Sequence, residues 1–146
     1  MEEAFMNDCI FCKIIAGEIP SVKIYEDDDV YAFMDISQTT PGHTLLVPKQ
    51  HVADILAYDA DLASKVFSKL PMIARAVKNS DPAIKGLNIV NNNGEVAYQS
   101  VFHSHIHLIP RYSNNDDFSI HFGDHSKQMT PEKYEEIRQA IANQFK

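Results

Sequence analysis

Three histidines, His103, His105 and His107, stand at alternate positions in the segment HSHIHLIP. The sequence predicts a strand over residues 101–109 that ends at Pro110, and alternate residues of a strand point to the same face. The three imidazoles should therefore share one face, with a spacing of about 6.6 Å between neighbours. The opposite row, Phe102, Ile106 and Leu108, would face a core, and only Ser104 interrupts its apolar character.

Two kinds of chemistry use such a set of imidazoles. Neutral imidazole is the commonest metal ligand, and histidine can also act as a nucleophile that carries a covalent intermediate. Three alternate positions of a flat strand span about 13 Å, so these rings cannot reach one metal ion without a bulge. The preceding loop, NNNGEVAYQS at residues 91–100, offers amide, hydroxyl and backbone N–H donors that suit phosphate oxygens. The pattern favours a nucleophilic histidine acting on a phosphate, while a catalytic zinc held by the triplet remains an alternative.

Further residues that could take part in chemistry lie earlier in the sequence. His43 follows a Pro-Gly turn and offers a fourth imidazole, and Asp35 follows an apolar run and is placed to accept hydrogen bonds from sugar hydroxyls. Cys9 and Cys12 form a Cys-x-x-Cys pair. In a reducing compartment such a pair is more often half of a metal site or a redox motif than a structural disulfide.

Composition narrows the classes of partner. The chain has 146 residues, which suits one domain, and its net charge of -7 argues against a long nucleic acid as partner. A single nucleotide is still allowed, because a few local donors can hold one phosphate. No apolar run approaches the roughly 20 residues that span a bilayer. The acidic N-terminus lacks the features of a signal peptide, so we expect a cytoplasmic protein with no membrane partner.

The strands that must position these residues are short and linked by turns. Residues 22–34 are predicted to form a hairpin around an acidic turn at residues 27–29, and residues 44–48 form an apolar strand. Residues 87–90 (LNIV) form another strand, which precedes the polar loop and the histidine strand. Hairpin-linked strands with few helices predict an α+β fold with an antiparallel sheet.

Two helices are predicted from apolar spacing. The first covers residues 61–78, and Pro71 should kink or divide it. The second covers about residues 130–145 and opens with Thr130 as the N-cap and Pro131 in the first turn. Its inner face is predicted to carry Tyr134, Ile137, Ile141 and Phe145.

Taken together, these motifs resemble the histidine triad family of nucleotide hydrolases and transferases, and in particular its bacterial branch. The resemblance implies a five-stranded antiparallel sheet with two helices, and a homodimer in which two sheets join into one. It implies a single domain over 1–146, with an N-terminal CxxC segment, a core at 20–112 and the C-terminal helix. The matching segments are residues 9–20, 35–37, 41–52 and 99–111.

The resemblance assigns a role to each matched residue. It makes His105 the nucleophile that attacks the α-phosphorus of a purine nucleotide conjugate, such as a phosphoramidate, a dinucleoside polyphosphate or an adenylate. His107 and His43 would hydrogen-bond the phosphate or orient its neighbours, and His103 would complete the catalytic set. Nucleotide-binding roles fall on Asp35 for the ribose, on Asn92, Gln99 and Ser100 for the phosphate, and on Phe11, Ile14 and Ile36 for the base.

A structural zinc ion is the cofactor that the resemblance implies, with no organic cofactor. Its ligands would be Cys9, Cys12, His51 and His103, because the last two match zinc ligands of some family members. Four protein ligands would close the coordination shell, as in a structural rather than a catalytic site. His121 and His125 are predicted to be ordinary surface residues.

One departure from the family pattern lies beside the phosphate loop. Tyr98 stands where the family commonly has glycine, so it is predicted to narrow the loop or to lie across the mouth of the pocket. The chain also has no tryptophan to form a C-terminal lid. A nucleotide-binding interaction protein with little turnover remains a second alternative.

Overall fold

The computed structural model describes residues 8–145, which form a five-stranded sheet with every neighbouring pair of strands antiparallel. The order across the sheet is β1-β2-β3-β5-β4. The predicted α+β class and the number and direction of the strands are confirmed. The strands are β1 (Lys23–Glu26), β2 (Val30–Met34), β3 (Thr44–Pro48), β4 (Gly86–Asn91) and β5 (Ile106–Arg111).

Asp27 stabilises the turn of the β1–β2 hairpin, which lies in the acidic segment where the sequence predicted a turn. Its Oδ1 accepts the backbone N–H groups of Asp29 and Val30 at 2.8 and 2.9 Å. Its Oδ2 accepts a hydrogen bond from Lys69 at 2.6 Å, which ties the turn to the helices that follow. One carboxylate therefore satisfies the turn and links it to the next layer.

Four α-helices accompany the sheet within residues 8–145, where the sequence predicted two. Pro71 divides the first predicted helix, because proline fits the first turn of a helix but not its interior. A short N-terminal helix was not predicted, and Cys9 caps it by accepting the N–H of Cys12 at 3.2 Å. The helices are α1 (Ile10–Ile15), α2 (Ala60–Phe67), α3 (Leu70–Asn79) and α4 (Pro131–Ala142).

Both faces of the central strands are covered, which explains why VYAFM and TLLVP read as continuous apolar runs. On one face, Val30, Ala32 and Leu46 pack with apolar residues of α2 and α3. On the other, Tyr31, Phe33, Leu45 and Val47 pack with Phe11 and Ile14 of α1. The second face, here called the α1 face, also carries the site described below.

The predicted histidine strand starts too early and ends too soon. Strand β5 begins at Ile106, because the N–H of Ser104 donates to Val52 at 2.7 Å instead of joining the sheet. His103 and His105 therefore lie in the segment before the strand, and Phe102 is 49% exposed rather than buried. Pro110 lies inside β5, where only β4 pairs with it, since the β3 pairing stops at Leu108.

The C-terminal helix begins as predicted, with Thr130 accepting the N–H of Lys133 at 3.2 Å. Its predicted inner face is wrong for the single chain, because the apolar residues of that face remain exposed. They are Tyr134, Ile137, Ile141 and Phe145. Among residues 8–145, no helix has the length and apolar character needed to cross a membrane. Most of the N-terminal stretch behind the cytoplasmic expectation lies outside the described residues.

Candidate active site

Strand register brings Asp35, His43 and His107 together on the α1 face. Phe33 of β2 pairs with Leu45 of β3, and Leu45 pairs with His107 of β5. Asp35 lies two residues after Phe33, and His43 lies two residues before Leu45. Both are therefore on the same face as these strand residues. The Nε2 of His43 lies 2.9 Å from Nδ1 of His107 and 3.6 Å from Oδ2 of Asp35.

Hydrogen bonds fix which nitrogens of His43 and His107 carry hydrogen. The backbone N–H of Thr39 donates to Nδ1 of His43 at 3.2 Å, so the neutral ring carries its hydrogen on Nε2. That Nε2–H donates to Nδ1 of His107, which leaves the hydrogen of His107 on its own Nε2. A neutral His107 therefore keeps one N–H donor for a ligand.

His105 lies just before β5 and is held on three sides. Its Nδ1 is 2.8 Å from the carbonyl oxygen of His103, and since a carbonyl only accepts, Nδ1 carries the hydrogen. The side-chain amide of Asn91 donates to the carbonyl of His105 at 2.9 Å. The ring of Phe11 packs against the imidazole in a T-shaped arrangement, with ring centroids 5.1 Å apart. The lone pair of His105 is therefore on Nε2, the nitrogen that a nucleophile would use.

Burial keeps these rings neutral. Desolvation lowers the pKa of His43 and of His105, and it lowers the pKa of His107 to about 4. Burial alone would raise the pKa of Asp35, but hydrogen bonds from the hydroxyl and backbone N–H of Ser37 outweigh it and lower that pKa. Near neutral pH the site combines neutral imidazoles with one carboxylate.

A cavity of about 630 Å³, here called the main cavity, opens beside these groups. Its size lies within the range typical of small-molecule sites. The predicted base-pocket residues Phe11, Ile14 and Ile36 line it, and Ile36 is fully exposed. Its polar side carries Asp35, Ser100, His105 and His107.

The loop after β4 is organised by Gln99 rather than left open. The buried Gln99 amide donates to the carbonyls of Ala53 and Val101 at 2.6 and 3.0 Å and accepts the N–H of Gly94 at 2.8 Å. Its side chain is thus used within the loop, whereas Ser100 lines the main cavity. Asn92 does not line that cavity.

Tyr98 adopts a left-handed backbone conformation with φ 71° and ψ 20°. Such a conformation is an outlier for a bulky residue and suits glycine. The side chain is 87% exposed and does not line the main cavity, so the expectation that it lies across the pocket is wrong.

A second group of side chains, here called the Cys/His cluster, consists of Cys9, Cys12, His51 and His103. One ligand atom from each lies within 4.8 Å of the others. His103 turns Nε2 to the carbonyl of Pro48 at 2.8 Å, so its hydrogen is on Nε2 and its Nδ1 lone pair faces the cysteines. All four residues that the sequence named as zinc ligands therefore converge.

The distances within the cluster fit a tetrahedral zinc ion. With Zn–N of about 2.05 Å and Zn–S of about 2.3 Å, two nitrogens stand about 3.3 Å apart and a nitrogen stands about 3.6 Å from a sulfur. The Nδ1 atoms of His51 and His103 are 3.2 Å apart. Three sulfur–nitrogen distances measure 3.3, 3.4 and 3.5 Å. Burial next to Cys9 raises the pKa of Cys12 to about 12, so without a cation this thiol is neutral.

The histidine triplet itself does not form a metal centre. His103 turns its free lone pair to the Cys/His cluster, while His105 and His107 line the main cavity. Asp35, His43 and His107 also offer ligand atoms within 4.8 Å of one another. However, the N–H of Thr39 fixes the hydrogen of His43 on Nε2, the nitrogen that such an ion would need.

Sequence reasoning missed several residues of the site. Asn91 donates a hydrogen bond to the backbone carbonyl of His105. It belongs to a run of three asparagines, and the sequence did not indicate which of the three makes this contact. Much of the apolar wall was also missed, since it comes from separate segments and only the tertiary fold assembles it. Its residues include Ile10, Ile19, Val22, Phe33 and Leu45. His121 and His125 are exposed, in line with their prediction as surface residues.

Comparisons with known proteins agree on one family. The sequence profile of the HIT domain matches residues 16–114. The chain is 50% identical over 139 residues to Protein hit of Bacillus subtilis, covering 95% of each sequence. It is similar to the crystal structure of a HIT family protein from Bacillus anthracis, with a TM-score of 0.89, 50% identity and coverage of 96% and 99%.

The name of one more distant relative states an activity, and the name of another states a bound metal. The adenosine 5'-monophosphoramidase hnt1 of Schizosaccharomyces pombe is 34% identical over 138 residues, covering 94% of this chain and 98% of that protein. A Zn-bound histidine triad family protein from Mycobacterium smegmatis is 31% identical with a TM-score of 0.71, over 92% and 99% of the chains. The profile match over two thirds of the sequence and the half-identical relative lead to one conclusion: the chain belongs to the HIT, or histidine triad, family.

Proposed function

We propose that the protein cleaves a bond at the α-phosphorus of a purine nucleotide conjugate through a nucleotidyl intermediate on His105. The observation that carries this proposal is the hydrogen bond from Nδ1–H of His105 to the carbonyl of His103 at 2.8 Å. It leaves Nε2 with a lone pair on a residue that lines the main cavity. Nucleotide hydrolysis is also the chemistry of named relatives, among them a phosphoramidase and an adenylylsulfatase of Arabidopsis thaliana.

The proposed reaction has two steps. The Nε2 lone pair of His105 forms a bond to phosphorus, and the bond to the leaving group breaks with its electron pair on that group, which takes up a proton from solvent. Water then forms a bond to phosphorus and releases a proton to solvent, while the phosphorus–Nε2 bond breaks and its electron pair returns to His105. The ring keeps its Nδ1–H throughout, and the His103 carbonyl stabilises the positive charge of the intermediate.

The other residues bind and orient the substrate in this proposal. The His107 Nε2–H donates to a phosphate oxygen. The hydrogen bond from Nε2–H of His43 to Nδ1 of His107 fixes this tautomer. Ser100 adds a hydroxyl donor at the cavity wall, while Asp35 accepts hydrogen bonds from the ribose hydroxyls. Phe11, Ile14 and Ile36 hold the purine in the apolar part of the cavity. Gln99 acts by shaping the loop that presents Ser100.

Zinc in the Cys/His cluster has a structural role in this proposal. The ion would crosslink α1 to the segment that precedes β5, and its four protein ligands leave no open coordination position for water. Reduced thiols suit the cytoplasmic location expected from the sequence. We also infer a homodimer with a continuous sheet, a proposal supported by the two outer strands, β1 and β4, each paired on one side only.

Kinetics of a His105→Asn variant test the proposal. With adenosine 5'-phosphoramidate as the probe, turnover should fall by roughly a thousandfold or more, because the covalent catalyst is lost. Substrate binding should persist, since the cavity walls are intact. Near-normal turnover of the variant would refute the mechanism, and binding without any turnover by the wild type would favour the alternative of a nucleotide-binding interaction protein.

A further inference from the structure

The segment between β2 and β3, here called the 35–43 loop, carries two residues of the candidate site. Asp35 stands at its start and His43 at its end. Gln38 lies between them, half-buried, with a left-handed backbone conformation at φ 46°. Such a conformation is uncommon for a residue other than glycine, and it persists where the surrounding structure holds it in place.

The side-chain amide of Gln38 supplies three hydrogen bonds that hold the loop together. Its Nε2 donates to the carbonyl of Asp35 at 2.6 Å and to the carbonyl of His43 at 2.7 Å. Its Oε1 accepts the N–H of Gly42 at 2.8 Å. Gln38 lines the main cavity, but both amide hydrogens are used within the loop and leave no free donor for a ligand.

The backbone conformation of Gln38 also sets the direction of the next N–H group. The N–H of Thr39 donates to Nδ1 of His43 at 3.2 Å, the contact that fixes the hydrogen of His43 on Nε2. Gln38 and Thr39 share one rigid peptide plane, so the torsion angles of Gln38 decide where this N–H points. A change to negative φ at Gln38 would turn the N–H away from the imidazole.

We propose that Gln38 is a positioning residue that holds Asp35 and His43 in the geometry that the reaction needs. This inference rests on the proposed function, in which Asp35 accepts hydrogen bonds from the ribose hydroxyls and His43 fixes the tautomer of His107. The amide of Gln38 bonds the backbone carbonyls of both residues, and its backbone conformation directs the N–H of Thr39 to His43. These contacts keep Oδ2 of Asp35 at 3.6 Å from Nε2 of His43.

Two substitutions separate the side chain of Gln38 from its backbone conformation. Gln38→Gly removes the three side-chain hydrogen bonds, but glycine accepts φ 46° without strain. Gln38→Ala removes the same hydrogen bonds and disfavours the left-handed conformation. The tautomer of His43 should therefore change more in Gln38→Ala than in Gln38→Gly.

Nuclear magnetic resonance of isotope-labelled protein reads this tautomer without any substrate. Couplings between the ring nitrogens and the carbon-bound ring hydrogens identify which nitrogen of His43 carries hydrogen. We expect the Nε2–H form alone in the wild type and a mixture of the two neutral forms in Gln38→Ala, because the N–H of Thr39 no longer occupies Nδ1.

Kinetics measure the effect on Asp35. The substrates are adenosine 5'-phosphoramidate and its 2'-deoxy analogue, which differ by one ribose hydroxyl. The wild type should favour the ribose substrate by about tenfold or more in kcat/KM, since a hydrogen bond to a charged carboxylate is lost in the analogue. Both Gln38 variants should lower kcat/KM for the ribose substrate by about tenfold and reduce the preference to about threefold or less.

Two controls separate this role from a general loss of stability. Thr40→Val removes the hydrogen bond from the buried Thr40 hydroxyl to the carbonyl of Pro110 at 2.6 Å, in the same loop. It should lower the melting temperature but keep the ribose preference and the His43 tautomer. Gln128→Ala removes an exposed glutamine side chain that does not line the main cavity, and every measurement should match the wild type.

The outcomes separate this inference from the function on which it rests. A mixed His43 tautomer and a reduced ribose preference in Gln38→Ala, with neither in Thr40→Val, support the positioning role. A wild-type tautomer or a wild-type preference in Gln38→Ala refutes it while the proposed function stands, and so does an equal loss of preference in Thr40→Val. If the wild type hydrolyses neither substrate, the proposed function itself fails. If it hydrolyses both equally well, the ribose-binding role of Asp35 is wrong and the inference fails with it.

Discussion

Removing the metal from the Cys/His cluster should lower the stability of the fold far more than it lowers catalysis. The perturbation is dialysis against a strong chelator, with Cys12→Ser as its genetic equivalent. The Nδ1 atoms of His51 and His103 lie 3.2 Å apart next to two buried cysteines, and removal of the ion would take away the crosslink between α1 and the segment before β5. The purified protein should carry about one zinc ion per chain.

The size of the effect follows from mass action. An ion that binds only the native state adds about 4 kcal/mol when free zinc exceeds its dissociation constant about 1,000-fold. With an unfolding entropy of about 2.1 cal/mol/K per residue, a chain of 146 residues changes its melting temperature by about 3 °C per kcal/mol. We therefore expect metal removal to lower the melting temperature by about 13 °C.

Differential scanning calorimetry with parallel metal analysis measures both quantities. Cys12→Ser should melt like the chelated wild type, and chelator should not lower its melting temperature further. The control is His121→Asn, since this exposed histidine lies outside the cluster and its loss should leave zinc content unchanged.

Two results would contradict a structural role for the zinc ion. A chelated protein that has lost its zinc but melts within about 3 °C of the holoprotein would show that the ion does not hold the fold together. Immediate loss of activity on chelation, restored by zinc with no change in melting temperature, would make the ion catalytic and would overturn the separate roles given to His103 and His105.

Three further substitutions test other parts of the account. Asp27→Asn should lower the free energy of unfolding by about 1–3 kcal/mol at pH 7. Burial raises the pKa of Asp27, but hydrogen bonds from Lys69 and from the backbone of the turn outweigh this effect and hold the folded pKa below the unfolded value. The difference in unfolding free energy between Asp27→Asn and the wild type should therefore disappear as pH falls below 4, which chemical denaturation measures. Tyr98→Gly should raise the free energy of unfolding by up to about 1 kcal/mol, because glycine accepts φ 71°, and a marked loss in chemical denaturation would contradict this. His43→Ala should lower kcat about tenfold or more by releasing the His107 tautomer, and it should also lower the melting temperature because a buried ring and its hydrogen bond from Thr39 are lost; an unchanged kcat would contradict the tautomer argument.

Local patterns predicted most of the sheet, but they misplaced the strand that matters most. Alternation through HSHIHL is typical of a strand, yet the N–H of Ser104 bonds to Val52 and the ring of His105 bonds to the carbonyl of His103. The first contact joins residues far apart in sequence, and the second joins a side chain to the backbone two residues away. The alternation of polar and apolar residues indicates neither of them. The chemistry-bearing residues do lie together in two groups, because Cys9, Cys12, His51 and His103 converge and Asp35, Ser100, His105 and His107 line the main cavity.

The remaining errors also have physical causes. The apolar spacing of the C-terminal helix correctly predicts an amphipathic helix, but spacing cannot tell whether that face packs within the chain, and Ile137 and Ile141 remain exposed. Gln99 was expected to bind phosphate directly, whereas its amide holds together the loop that carries Ser100. A hydrogen-bonding residue type indicates capacity, and only the fold decides which partner takes it.

The most direct test of the central proposal is to trap the intermediate on His105. A reaction with radiolabelled adenosine 5'-phosphoramidate is quenched in alkali, where bonds between phosphorus and histidine survive better than in acid, and the labelled peptide is mapped. We expect label on the peptide that contains His105 in the wild type and none in His105→Asn. Label on another residue, or none during rapid turnover by the wild type, would contradict it and would favour direct attack by water.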